Sequence, residues 1–161
     1  MGLTFSSTGV GAARRGIGGE RGDRLIVLAG NPNVGKSTVF NALTGMHQHT
    51  GNWAGKTVAG ASGKCEYKGR SFVFADVPGM YSMFTMSAEE DDARSAICFS
   101  APDAVVVVCD ASCLERNLNL VLQIAEITPN VVVAVNLMDE AERRGISVDT
   151  EKLGRILSVP V

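Results

Sequence analysis

Eight consecutive residues, Gly30-Asn31-Pro32-Asn33-Val34-Gly35-Lys36-Ser37, fit the phosphate-loop pattern G-x-x-x-x-G-K-[ST] at every fixed position. Gly30 and Gly35 let the backbone turn sharply and approach a phosphate where a Cβ would obstruct it. Successive N–H groups then converge into an anion-binding nest. Lys36 reaches the outer phosphates as a point charge, and the Ser37 hydroxyl can ligate Mg²⁺. Two short patterns follow: Asp76-Val77-Pro78-Gly79 and Asn136-Leu137-Met138-Asp139. A carboxylate at Asp76 can hold Mg²⁺, often through water, and the N–H of Gly79 can sense a terminal phosphate. Asp139 can accept from the ring N–H and exocyclic amine of guanine, an arrangement adenine does not offer. Asn136 can support the base edge and the loops. A phosphate loop alone does not separate ATP from GTP, and each four-residue pattern also occurs as an ordinary Asx turn. Their order, each after a strand, makes the set specific.

These residues meet only if the elements before them end at one place. Residues 24–29 read as a short buried strand, and residues 36–45 as a helix closed by Gly45, whose N-terminus adds a positive field under the phosphates. Residues 46–60 have no clear period and read as a long functional loop. Residues 63–68 and 71–75 alternate around Lys68-Gly69-Arg70 as a hairpin, whose second strand delivers Asp76. A helix is expected over 87–99, with Ser87 as N-cap and Glu90 completing a capping box. Residues 104–109 and 131–135 are continuous apolar strands; 114–127 have helical spacing. Short helices are expected over 140–144, stopped by Gly145, and over 150–157. Residues 159–161 open a further apolar segment. Strands alternating with helices predict an α/β domain with a mostly parallel sheet covered on both faces. Its ligand loops then lie at the carboxyl ends of the strands.

The chain of 161 residues is one domain in size, with 45% hydrophobic and 20% charged residues. A formal net charge of −2 provides no basic field, so nucleic acid is not the expected partner. No run approaches the roughly 18 apolar residues of a membrane span. Cys65, Cys98, Cys109 and Cys113 form no CxxC pair and read as reduced, buried thiols. Residues 1–23 lack periodicity and read as a flexible leader. Within them, Met1-Gly2-Leu3-Thr4-Phe5-Ser6 fits the short and common N-myristoylation pattern, and the leader reading is preferred over it.

The segments GNPNVGKSTVFNALTG, GNWAGKTV, DVPGMYS, DASCLERNLNLVLQ and NLMDEAERRGI together resemble the GTPase domain of the FeoB family, the bacterial ferrous-iron transporters. The resemblance covers about residues 24–161. It implies a phosphate-loop NTPase of Ras-like fold, binding GTP or GDP with Mg²⁺. Residues 30–38, through Thr38, would cradle the nucleotide phosphates. Gly55, Lys56, Thr57, Val58 and Ala59 would form a switch loop, with Thr57 on Mg²⁺ and the γ-phosphate. Ser37 and Asp76 would complete the metal site, with Val77, Pro78 and Gly79 beside the γ-phosphate. Asn136, Leu137, Met138 and Asp139 would hold the base. Asn33 aligns with the asparagine that ligates K⁺ in potassium-stimulated members. Lys36, Thr57 and Gly79 would carry catalysis. Ala54 stands where the family usually has Pro, and Lys56 where a small apolar residue is common; both loosen the switch loop and its K⁺ geometry. Val161 precedes the [ST]-A turn that packs on guanine, so a C-terminally truncated domain with an open sheet edge is expected. A membrane-embedded iron channel is expected downstream, placing the domain at the cytoplasmic face of the bacterial inner membrane. A homo-oligomer is compatible with this organisation.

Ras-like enzymes place a Gln just after D-x-x-G to orient the attacking water, and here Met80 stands there. Slow hydrolysis is therefore expected, with water held by switch-loop backbone and K⁺ near Asn33 as a built-in charge. Three rivals remain. His47 and His49 with Cys65 could bind a metal, but lack further ligands at fixed spacing. A soluble GTPase of ribosome assembly or tRNA modification would need a basic extension. A non-hydrolysing nucleotide-binding module is compatible with Met80.

Overall fold

The computed structural model describes residues 22–45, 49–51, 60–84 and 87–161. Among these residues six strands form one sheet: β1 (Arg24–Gly30), β2 (His49–Gly51), β3 (Gly60–Tyr67), β4 (Arg70–Asp76), β5 (Ala104–Asp110) and β6 (Val131–Asn136), in spatial order β2-β3-β4-β1-β5-β6. β1 runs parallel to β4 and β5, and β5 parallel to β6; β2, β3 and β4 pair antiparallel in sequence. Among the described residues, five α-helices connect or follow them: α1 (Lys36–Thr44), α2 (Ala88–Phe99), α3 (Leu114–Ile127), α4 (Met138–Arg143) and α5 (Thr150–Leu157).

Side-chain alternation along the central strand explains two covered faces. Leu25, Val27 and Ala29 of β1 join Val73, Ala75, Val105, Val107, Val131 and Val133 in one cluster. α2 closes it with Ala93, Ala96 and Ile97, and α3 with Leu120, Val121 and Ile124. The intervening Ile26 and Leu28, outside that cluster, are also buried, as is Phe40 of α1. The start of β1 is pinned by Asp103, whose carboxylate accepts from Arg24 Nη1 and the Leu25 N–H, each at 2.8 Å.

The sheet register decides where the loops go. Leu28 pairs with Asp76, Gly30 with Val108, and Asp110 with Asn136. The four parallel strands therefore end along one edge, and the segments after β1, β4 and β6 leave from it.

Most expected elements lie within a residue or two of their predicted bounds. Lys68 and Gly69 turn the hairpin with φ 49° and 70°, both left-handed as a two-residue turn requires. Ser87 caps α2, its hydroxyl accepting from the Glu90 N–H at 3.2 Å. Three expectations need correction. His49–Gly51, read as loop, is an edge strand paired with Gly60–Ser62, so β3 begins three residues early. α4 begins at Met138, not at residue 140, because Leu137 takes a left-handed φ of 57° and turns the chain into the helix. Of the four cysteines, all free thiols, only Cys109 is buried; Cys113 lies exposed in the turn before α3. The last residues also begin to cover the outer edge of β6, with the Val133 N–H donating to Pro160 O at 2.9 Å. Residues 1–21, His47 and the five switch-loop residues 55–59 lie outside the described residues.

Candidate functional site

The phosphate-loop backbone is unusual where it must be. Asn33 has φ 65° and Gly35 φ 77°, both left-handed. A Cβ on Gly30 would stand 2.6 Å from the carbonyl oxygen of Val108. One on Gly35 would stand 2.4 Å from Asn136 Nδ2, and one on Gly79 would meet the backbone of Pro32 at 3.0 Å. Neighbouring strands and loops are thus packed onto this loop so closely that a Cβ would force a shift at Gly30 and Gly35 and a tight contact at Gly79.

That packing brings the three sequence patterns together. Asn136 donates its amide to Val34 O at 2.9 Å, joining the guanine pattern to the phosphate loop. Met80 donates its N–H to Gly30 O at 3.1 Å, and Val77 to Leu28 O at 3.3 Å, joining the D-x-x-G turn to the same strand end. Lys36 Nζ pairs with Asp76 Oδ1, while Ser37 Oγ donates to Asp76 Oδ2 at 3.0 Å. Residues 31–33 and 35–38, with Gly79 and Glu89, line a cavity of about 410 Å³. It is polar, open on one side, and floored by a helix N-terminus, a combination suited to an anion. A hydroxyl and a carboxylate 3.0 Å apart are hard oxygen donors of the kind Mg²⁺ takes. Asn31 is buried, and its side-chain oxygen has no hydrogen-bond partner among the described residues.

Asp139 stands at the first turn of α4, beyond Asn136, and its carboxylate pairs with Arg143. Met80 is fully buried, so it cannot face a reacting water. The chain after it is fastened to α3. Gln123 Oε1 accepts from Ser82 Oγ at 3.0 Å and from the Met83 N–H at 2.7 Å. Arg116 lies over the Tyr81 ring, 4.6 Å from its centroid. Sequence reasoning missed Glu89, Gln123, Arg116 and Arg143. Only Arg143 carried a readable signal, the four-residue spacing from Asp139 along a helix.

The turn between β5 and α3 forms a separate polar cluster. Asp110 Oδ1 accepts from the N–H and hydroxyl of Ser112, each at 2.7 Å. Burial pushes the Asp110 carboxyl up, but Ser112, the Cys113 thiol and the charge of Arg144 outweigh it and hold it below the usual aspartate range. Burial, with the nearby Cys113, pushes the Cys109 thiol to about 12.

Comparison with known proteins agrees with this architecture. The family described as ferrous iron transport protein B matches residues 24–161. An Fe(2+) transporter FeoB from Legionella pneumophila is 43% identical over 139 residues, covering 84% of this chain and 18% of that protein. The chain thus spans under a fifth of the length of that curated relative. Among solved structures, the FeoB G domain from Methanococcus jannaschii superposes with a TM-score of 0.77 at 43% identity, covering 88% of this chain and 85% of that one. The cytosolic domain of the T. maritima FeoB iron transporter in GMPPNP form gives a TM-score of 0.80 at 39% identity, covering 86% and 55%. A phosphate loop, a D-x-x-G turn and an N-x-x-D turn gathered at one sheet edge, matched over residues 24–161, make this chain a member of the ferrous iron transport protein B family, corresponding to its G domain.

Proposed function

We propose that residues 24–161 form a guanine-nucleotide switch that binds GTP or GDP with Mg²⁺, hydrolyses GTP slowly, and regulates ferrous-iron passage through a membrane channel elsewhere in the full protein. The observation that carries the reading is the convergence of three strand-ending loops. Asn136 bonds to the phosphate loop, Gly79 abuts Pro32, and Asp76 touches both Lys36 and Ser37. The nucleotide phosphates would lie in the cavity at the α1 N-terminus, with Lys36 on the outer phosphates. Ser37, Asp76 and Thr57 would hold Mg²⁺, which neutralises phosphate charge when bound. Asp139 would accept the guanine edge while Asn136 ties that loop to the phosphates.

Met80 is buried and the turn offers no side chain to orient water. Hydrolysis would then rest on backbone groups around Gly79 and on the charges of Lys36 and a K⁺ held by Asn33. Thr57 and Gly79 would report the γ-phosphate, and its loss would release the segments around them. The domain would work at the cytoplasmic face of the inner membrane, as part of a longer protein. Titration with fluorescent GDP and ADP tests the first step; equal affinity for the two refutes it. Single-turnover GTP hydrolysis in KCl and NaCl tests the second. Faster turnover in KCl, lost in Asn33→Ala, is expected; equal rates remove the K⁺ role, and no turnover leaves a binding module.

A further inference from the structure

The carboxylate assigned to guanine already has a guanidinium on it. Arg143, the last residue of α4, sets Nη2 on Asp139 Oδ2 and donates its Nε–H to the Asp139 carbonyl at 3.1 Å. The edge of guanine that an aspartate reads is the N1–H beside the C2 amino group. That edge is itself a guanidine unit. Arg143 and the base therefore offer a carboxylate the same kind of planar, adjacent N–H donors, and the two compete for Oδ2.

We propose that Arg143 is an internal competitor for guanine: a latch that occupies Asp139 and must yield its carboxylate oxygen before the base is fully read. This rests on Asp139 being the guanine acceptor. The released side chain has a favourable alternative, since a cation in the last turn of a helix is stabilised by the dipole there. The latch is weak by construction. Arg143 is 70% exposed and Asp139 71%, so water and salt screen the pair. An exposed pair of this spacing keeps the latch closed in roughly two molecules of three, which weakens guanine binding about two- to threefold. Arg144 provides the contrast. It carries the same charge one residue along, but reaches Glu140 at 4.0 Å and the Ser112 hydroxyl at 3.4 Å.

The test is equilibrium titration of the whole chain with fluorescent GDP and ADP, in wild type, Arg143→Ala and Arg144→Ala, at low and high salt. At low salt Arg143→Ala should tighten GDP about two- to threefold and leave ADP unchanged, while Arg144→Ala changes neither. Near 1 M salt the Debye length falls to about 3 Å, and wild type and Arg143→Ala should converge for GDP. Unchanged or weaker GDP binding in Arg143→Ala overturns the latch, as does an equal gain for GDP and ADP, which would mark a general charge effect. A wild type that does not prefer GDP over ADP overturns the guanine reading as well. That failure is visible before any variant is compared.

Discussion

The bond from Asn136 to the phosphate loop joins two motifs directly, and its removal has a calculable effect. Val34 is 3% exposed, so in Asn136→Ala its carbonyl loses a 2.9 Å donor with little water to replace it. A hydrogen bond of this kind contributes about 1 kcal/mol, and an orphaned buried acceptor costs about 1–3 kcal/mol. Taking about 1–2 kcal/mol, the nucleotide-free domain should melt roughly 3–6 °C lower, given the usual entropy of unfolding at this size. Gly35→Ala attacks the same bond from the other side. Its Cβ would fall 2.4 Å from Asn136 Nδ2 and expel the amide, and φ 77° adds about 1 kcal/mol of left-handed strain. Once the amide is displaced, Asn136→Ala has little left to remove. The double variant should therefore be less destabilised than the sum of the singles, by about the 1 kcal/mol of the shared bond. Thermal melts of the four proteins, with and without saturating GDP, measure this. GDP should raise the wild-type midpoint and raise that of either variant less. Additive single effects, or an undiminished GDP shift in Asn136→Ala, would refute the coupling.

The polar turn before α3 yields two further expectations. The Asp110 carboxyl is held below its ordinary value, so its ionised form adds stability above the unfolded value near 3.9, and that stability is lost as pH falls through the lower folded value. Asp110→Ala, which removes the cap on Ser112, should cost about 1 kcal/mol at pH 7. Its gap from wild type should narrow below about pH 4; a gap constant from pH 3 to pH 7 would contradict the assignment. Cys109, buried and with a thiol near 12, should resist iodoacetamide at pH 8 in the folded protein and react only on unfolding. Mass spectrometry of the alkylated native protein decides, and labelling of Cys109 at the rate of a free thiol would contradict its burial.

Most of this fold was legible because its signals are local. A short, Val-rich apolar run bounded by Asp103 and Asp110 is too short for a helix and reads as a buried strand, and Ser87 with Glu90 announces a helix start from four residues alone. The convergence of the motifs was legible too, since strands alternating with helices put all their carboxyl ends on one edge. What escaped depends on distant partners. His49–Gly51 is a strand because its backbone meets Gly60–Ser62, a pairing that carries no side-chain pattern. α4 starts two residues early because Leu137 adopts a left-handed conformation that leucine rarely takes, so no Gly or Asn marked it. Cys113 is expected to be buried like the other thiols, yet it lies exposed in the turn that Asp110 caps. Glu89 and Gln123 belong to the site's surroundings only through where α2 and α3 lie in space, which spacing along the chain does not encode.

Asp76 is the residue on which these contacts depend together. One of its oxygens neutralises Lys36 and the other accepts from Ser37, and the two charged side chains are only 11% and 12% exposed. Leaving either charge unpaired there would be costly, because a partly buried ion without a partner loses solvation without compensation. Under the proposed function, a nucleotide with its metal would avoid that penalty by replacing both contacts at once: phosphate oxygens would take over Lys36, while Asp76 and Ser37 would hold the cation. Phosphate without a metal, or metal without phosphate, satisfies only one half of the exchange and strands the other charge. Tight binding should therefore require the pair as a unit. The Asp76 strand end leads directly through Gly79 and Met80 to the Ser82–Gln123 contact on α3. A partner exchange at Asp76 is thus placed to be felt six to seven residues further along the chain, where Ser82 and Met83 meet Gln123 of α3.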